Sequence, residues 1–423
     1  MPAPSPAAPP HRGRAAEGSG RPGWVEALAT FAVVAAAVTF AVWLGARGSV
    51  ANAASHDLRA YPGSGLFGGW FRFDARWYEQ IATHGYSFNG PNVQSSVAFF
   101  PAYPGLLWVL HGITGVSVKL LGTLVTLACG AGVAVLFRRW CDDRVDPTVA
   151  RIATVTLLLY PYAYYLMGAI YADALFLLAT LAAFLLLERG HPVLAGLAGI
   201  VATAARPVGI AVVVGLVAVT LWRKGTFSRR GGRLRFDLRT LRPADAGVLL
   251  SVLGLVGWMV YLGARFDRPI AFEEVQQAPG WDQGSGPRTW FKVTWFQQLK
   301  NLPGWFFEWL DHGDDATFVK VQYASTVLLQ GLLVAAFVVL AWLAWRRLGW
   351  GYGVYAFALL TIPLLGTKDF MGTGRYLLAA FPCFVVLAQL LSERRVWRVA
   401  TWVLSGALLL TWAFAFGRGY YVA

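Results

Sequence analysis

Long apolar runs separated by short polar punctuation dominate the chain, near residues 24–46, 116–137, 149–166, 172–188, 192–222, 244–264, 321–345, 350–366, 375–391 and 397–416. Most of these runs approach the roughly 20 residues that a helix needs to cross the hydrocarbon core of a bilayer. Hydrocarbon offers no partner to an open strand edge, so a spanning segment must satisfy its backbone internally as a helix. The alternation expected of a membrane β-barrel strand is absent. The pattern therefore predicts an all-α polytopic membrane protein.

Composition agrees, with 57% hydrophobic and 14% charged residues. The formal net charge of +14 might suggest a nucleic-acid partner, yet the Lys and Arg residues gather in short clusters at the ends of apolar runs. Orientation signals do this, because basic loops stay cytoplasmic, and nucleic acid is excluded. The clusters are the N-terminal tail, Arg138/Arg139/Arg144, the segment from Arg223 to Arg242, Arg346/Arg347 and Arg394/Arg395/Arg398. If every run crossed once, the very basic 223–242 segment would fall outside. The run 192–222 resolves this conflict: its 31 residues exceed one ordinary span and carry Arg206-Pro207 at the middle. Read as two short helices meeting at Arg206, it brings every basic cluster inside and gives about eleven spanning or partly spanning helices. Loops 47–97, 167–171, 265–320 and 367–374 then face outside.

Residues 1–23, rich in Pro, Ala, Gly and Arg, read as a disordered basic cytoplasmic tail, and 24–423 as a single transmembrane domain. The run after the tail is longer than the roughly 7–15 residues of a cleaved signal core, so despite the small residues of SVANAAS it is expected to be retained as an anchor. Cys129 and Cys383 lie in apolar runs and Cys141 in a basic turn, which makes neither a metal spacing nor a disulfide framework. Asp311, Asp314 and Asp315 lack a flanking ligand pattern and read as a solvated loop. No metal and no cofactor is expected. The stretch AFFPAYPGLLWVLHGI suits a short interfacial helix in the first outside loop, and TWFKVTWFQQLKNLPGWFFEWLDHGDD places aromatic clusters beside charges as headgroup-level segments do, so membrane lipids are partners. No internal repeat is visible, which weighs against a secondary transporter.

Against this background FDARWYEQIATHGY, residues 73–86, is unusually polar. Phe73-Asp74, Ile81-Ala82, Gly85-Tyr86, Ala98-Phe99-Phe100-Pro101 and Tyr103-Pro104 resemble the first-loop signature of PIG-V-type mannosyltransferases of the GT-C superfamily. Ala169–Phe176 resembles the family's tyrosine-and-acid entry into a span, Ala205–Gly209 its arginine-glycine element, and Gly374-Arg375-Tyr376 is similar in the C-terminal half. Phe73 stands where the family has Trp, and Ala172-Asp173-Ala174 where it has Ser-Glu-Ser.

The resemblance implies a GT-C-like bundle with interfacial helices in a large first outside loop. It also implies an enzyme that transfers a hexose, mannose above others, from a polyprenyl- or dolichyl-phosphate sugar donor to a lipid-linked or glycan acceptor. The Ala-, Gly- and Arg-rich composition leans towards a bacterium, hence a plasma membrane with the active site on its outer face. The rival readings are a lipid or solute transporter or flippase, and a non-catalytic subunit of a glycosylation complex.

Such a transfer needs a base for the acceptor proton, placed opposite the departing phosphate. Asp74, between Phe73 and Trp77 in a partly dry setting, is the expected base, its alternative being a helix cap. The leaving phosphate needs fixed cations. Arg206 suits this, since a charge between two short apolar helices is costly unless used; its alternative is snorkelling to an interface. Lys368, Arg375 and Tyr376 lie in or beside the glycine-bearing loop TKDFMGTGRY, where Arg375 could instead anchor a helix end. Asp173 either meets sugar hydroxyls or caps a helix. Arg76, Tyr78, His84 and Tyr86 share the first loop as candidate substrate contacts, with a structural role the alternative for His84. Glu79, five residues from Asp74, is expected to point elsewhere, solvated or paired with an arginine.

Overall fold

The computed structural model describes residues 22–47, 65–230, 233–281, 283–284 and 286–422. The basic tail up to residue 21 and the small-residue stretch near 49–55, with the expectations attached to them, lie outside the described residues.

In chain order, α1 (Gly23–Arg47), α2 (Ala75–His84) and α3 (Ala102–Thr114) precede α4 (Val118–Asp142), α5 (Pro147–Leu158), α6 (Asp173–Glu188), α7 (Pro192–Ala205) and α8 (Ile210–Arg223). A small antiparallel hairpin, β1 (Phe227–Arg230) with β2 (Arg233–Phe236), occupies the basic segment and is the departure from an all-helical chain. Next come α9 (Leu253–Phe266), the short α10 (Ala271–Glu274) and α11 (Gly286–Trp290), and the amphipathic α12 (Val293–His312). Then α13 (Asp315–Arg347), α14 (Trp350–Gly366), the one-turn α15 (Thr373–Tyr376), α16 (Phe381–Ser392) and α17 (Arg395–Arg418) complete the order.

Among the described residues, five helical stretches are long and apolar enough to cross a membrane: α1, α4, Pro243–Phe266, α13 and α17. A sixth, Thr373–Ala379 continued by α16, is bent by 81°, where Pro382 in the first turn of α16 removes a backbone donor. The helices α5, α7 and α14 and the stretch Pro207–Arg223 are shorter but apolar. The protein is an integral membrane protein.

Local chemistry sets these boundaries. Asp146 caps α5, accepting from the N–H groups of Thr148 at 3.0 Å and Val149 at 3.1 Å, with Pro147 at the first helical position. Asp314, expected in a solvated loop, caps α13 by accepting from Thr317 N–H at 2.8 Å. Pro207 disfavours helical backbone at the residue before it, and Arg206 is extended (φ −155, ψ 149), so α7 and α8 do meet at Arg206. The run 149–166, by contrast, is not one helix: α5 stops at Leu158, three residues before Pro161. Every residue from Tyr160 to Ala174 is buried. Irregular backbone at membrane depth persists only where protein surrounds it, and here Thr126 Oγ1 donates to Ala169 O at 2.9 Å while the Tyr160 hydroxyl donates to Gly374 O at 3.0 Å. Small residues bring α1 and α17 together: a Cβ on Gly45 or on Gly417 would lie 2.1 Å from a carbonyl of the other helix.

The two ends of the bundle differ in chemistry. At one rim Glu188 closes α6, accepting from Trp140 Nε1 at 2.9 Å and from the Tyr352 hydroxyl, and pairing with Arg144. Arg144 also stacks 4.0 Å over Trp140, and Arg223 donates to Glu188 O at 2.9 Å. Arg138 reaches Glu26 at 3.0 Å and Asp142 at 2.8 Å. The ends of α4, α6 and α8 and the starts of α1 and α14 therefore meet beside basic clusters, as the charge pattern predicts. At the opposite rim stand the start of α2, the start of α6, the break after α7, and α15.

Removing Glu188 leaves the Arg144 guanidinium partly buried without its carboxylate. Glu188→Ala is expected to destabilise the protein by about 3 kcal/mol, against about 1 kcal/mol for Tyr352→Phe, in reversible unfolding of the detergent-solubilised protein.

Candidate active site

Asp74 occupies the N-cap position of α2, yet its side chain makes no capping bond. It turns inward, where Arg375 Nη1 donates to Asp74 Oδ2 at 3.3 Å, a contact spanning 301 residues of chain. The approach to Asp74 is strained: Phe73 is left-handed (φ 51), which costs a bulky L-residue about 1–2 kcal/mol. Packing compensates, with the Phe73 ring 5.6 Å from Phe416 and 5.0 Å from Tyr421. Arg72, buried just before it, ties the loop to the end of α17 by donating to Gly417 O from Nε at 3.1 Å and from Nη2 at 2.8 Å. Asp74 N–H donates to the Tyr171 hydroxyl at 3.2 Å, which leaves the phenolic proton free to donate elsewhere.

A second ion pair stands beside the first. Asp173, the first residue of α6, makes no side-chain cap; its Oδ1 accepts from Arg206 Nη1. The Tyr376 ring lies near both guanidinium groups, 4.4 Å from that of Arg206 and 5.7 Å from that of Arg375. Arg375 also lies 5.3 Å from the Tyr171 ring and 5.6 Å from that of Tyr165. Tyr78 is buried on the other side of Tyr171, with ring centroids 6.1 Å apart. Thus Asp74, Tyr78, Asp173, Arg206, Arg375 and Tyr376, expected from separate stretches, come together.

Burial pushes the Asp74 carboxyl above the ordinary aspartate range; the guanidinium groups of Arg375 and Arg206 pull against this, and the Asp173 carboxylate adds to the rise. Its side chain keeps 20% of its surface accessible. Arg375 is 11% exposed, and its Nε is buried without a partner. The site thus holds one reachable carboxylate of raised proton affinity and two fixed cations whose hydrogen-bonding capacity is not used up.

Other expected residues lie elsewhere. His84 and Tyr86 line a separate cavity of about 680 Å³ at the far end of α2, with Ile81, Pro104, Trp108 and Trp258 among its walls. The ring nitrogen Nδ1 of His84 lies 2.7 Å from Thr83 Oγ1, and the Tyr86 hydroxyl donates to Phe99 O at 3.0 Å. Arg76 is exposed on α2, and Lys368 packs beside Gly284 in the second large loop. Glu79 pairs with Lys119 at 3.4 Å rather than with an arginine. Sequence reasoning passed over Tyr165 and Tyr421 and took Tyr171 only as part of the stretch 169–176, not as a site residue; Tyr165 and Tyr171 sit in the tyrosine-rich run YPYAYYLMGAIYA, whose phenols in an apolar stretch were the available signal.

No family model matches the chain, and no curated protein matches it. Among solved structures, the archaeal oligosaccharyltransferase AglB from Archaeoglobus fulgidus, in complex with an inhibitory peptide and a dolichol-phosphate, is similar at 13% identity and TM-score 0.45, over 94% of this chain and 56% of that one. The A. fulgidus oligosaccharyltransferase in the apo form gives the same identity, coverage and TM-score. The form tethered to an acceptor peptide containing the NVT sequon gives 14% identity and TM-score 0.45, over 95% of this chain. The chain therefore spans about half the length of these enzymes.

Each carboxylate neutralises a buried guanidinium, so removing one partner costs more than removing both. Asp173→Asn is expected to destabilise the protein by about 3 kcal/mol, and Asp173→Asn with Arg206→Gln to recover most of that loss, a coupling that a double-mutant cycle on thermal unfolding reads directly.

Proposed function

We propose that the protein is an inverting glycosyltransferase of GT-C type that moves a hexose, mannose above others, from a polyprenyl- or dolichyl-phosphate donor to a lipid-linked or glycan acceptor. The bundle has about eleven crossings, and the active site lies on the outer face of a bacterial plasma membrane. The observation that carries this reading is the meeting of Asp74, Arg206 and Arg375 at one rim, from elements far apart in the chain. The first-loop signature that resembles the PIG-V-type enzymes contains the same Asp74.

In this reading the acceptor oxygen attacks the anomeric carbon of the sugar from the face opposite the phosphate. The new C–O bond forms as the bond from the anomeric carbon to the phosphate oxygen breaks, and the acceptor proton passes to Asp74. Arg206 and Arg375 meet the charge that grows on the leaving phosphate, where a guanidinium can offer two parallel donors. Asp173 keeps Arg206 in place and balances its charge until the phosphate arrives. Tyr376 packs near both cations.

The cavity at the far end of α2 gives the lipid chain a route. Gly254 in its wall packs against Thr203 and Ala204, within one turn of Arg206, and a Cβ on Gly257 would meet no described atom within 4 Å. Apolar walls facing the membrane side of α9 suit an isoprenoid next to a phosphate at Arg206.

Purified protein incubated with labelled polyprenyl-phosphate mannose and a crude lipid extract should yield a new glycolipid, which neither a transporter nor a binding subunit would make. Asp74→Asn is expected to cut turnover per folded molecule by at least about 10²-fold, alongside a loss of stability like that of Asp173→Asn because Arg375 is left without its carboxylate. Because the base acts as a carboxylate and burial raises its proton affinity, the wild-type rate should fall on the acid side above the usual aspartate value of about 3.9. Near-normal turnover by Asp74→Asn refutes the assignment. For the groove, Gly257→Leu should raise the KM of a long-chain donor about tenfold while leaving a short, water-soluble donor unaffected; equal effects on both would remove the groove from the account.

A further inference from the structure

The ion pair between Arg375 and Asp74 depends on the residue before Arg375, and Gly374 is gripped from three sides. Gly374 N–H donates to Gln330 Oε1 at 3.0 Å, Gly374 O accepts from the Tyr160 hydroxyl at 3.0 Å, and a Cβ on Gly374 would lie 2.4 Å from the Tyr162 ring. Gln330 is fully buried in α13, a helix of 33 residues long enough to cross a membrane. A side-chain amide at such depth is costly unless it is used. Which amide atom faces Gly374 is decided by chemistry: a backbone N–H only donates, so the facing atom is the oxygen.

The rest of the turn is irregular and leans on side chains. Phe370 (φ 67) and Gly372 (φ 79) are left-handed, and Asp369 accepts from Met371 N–H at 3.2 Å and from the Tyr323 hydroxyl. No long helix rigidifies Arg375 from its N-terminal side, and its buried Nε has no partner of its own. Its guanidinium is therefore placed by the backbone it springs from together with the rings of Tyr165, Tyr171 and Tyr376.

We infer that Gln330 is a positioning residue, which by holding the Gly374 peptide places the Arg375 guanidinium against Asp74. The expected effect on turnover rests on the proposed glycosyl transfer; the expected effect on Asp74 does not.

Asp74 is faced by Arg375 from α15, by Arg206 and Asp173 from the break after α7 and the start of α6, and by the phenols of Tyr171 and Tyr421. Gln330→Met keeps the side chain's length and removes the acceptor. If Arg375 then drifts, Asp74 keeps its burial and loses its nearest cation, so its carboxyl titrates at higher pH. Infrared pH-difference spectra of the purified protein, with Asp74→Asn identifying the band, should show this upward shift, and turnover should fall by up to about 10²-fold. Gln330→Glu, neutral at that depth and still offering an acceptor oxygen, should restore both. Tyr160→Phe, which frees the carbonyl of the same residue, should shift the band in the same direction by less. An unshifted Asp74 band in Gln330→Met overturns the inference; if that variant does not fold, an unshifted band in Tyr160→Phe does so. A shifted band in a protein whose wild type transfers no sugar would retain the positioning role and reject the enzymatic reading.

Discussion

Two carboxylates and two guanidinium groups meet at one rim of an apolar bundle, and their charges cancel only as crossed pairs, Asp74 with Arg375 and Asp173 with Arg206. The first pair joins residues 301 apart and the second ties the start of α6 to the end of the next helix, so this balance helps to fix how α2, α6, α7 and α15 converge. Either guanidinium alone, at 10% or 11% exposure, would be a costly charge next to hydrocarbon. In the proposed reading the arrangement serves for exchange, because a phosphate is the kind of ligand for which an arginine would trade a carboxylate. Structural neutrality and anion capture would then be the same feature seen with and without a ligand.

Much of this architecture was legible because it is written in runs and interruptions. A 31-residue apolar run with Arg206-Pro207 in the middle is too long for one span, and proline restricts the residue before it, so the break was predictable to the residue. The polar, aromatic stretch around Asp74 stood out because it gathers two acids, an arginine and a histidine in fourteen residues of an otherwise apolar chain. The directions of the helices agree with the basic clusters, of which Arg138, Arg144 and Arg223 lie at the rim away from Asp74.

What escaped prediction depends on contacts rather than on periodicity. Apolar character extends from 149 to 166, yet Pro161 ends the helical stretch early, and the tyrosines beyond it form a buried irregular floor that no hydropathy window distinguishes from a span. Arg375 was visible as a cation in a glycine-bearing loop, but nothing local shows that its partner lies 301 residues away. His84 and Tyr86 share a ten-residue helix and its end with Asp74, so sequence proximity suggested one site; the helix instead separates them, placing Asp74 at one end and the cavity of about 680 Å³ at the other. Gln330 was passed over inside an apolar run, and its use is plain only once Gly374 is opposite it.

The central claim is that the two arginines receive a lipid-borne phosphate within reach of Asp74. The most direct measurement is the position of the phosphorus atom in a structure of the protein determined with a polyprenyl phosphate. The account predicts phosphate oxygens at hydrogen-bond distance from both Arg206 and Arg375, with the Asp74 carboxylate facing the same space. A phosphate bound elsewhere, with both ion pairs left as they are here, would contradict it.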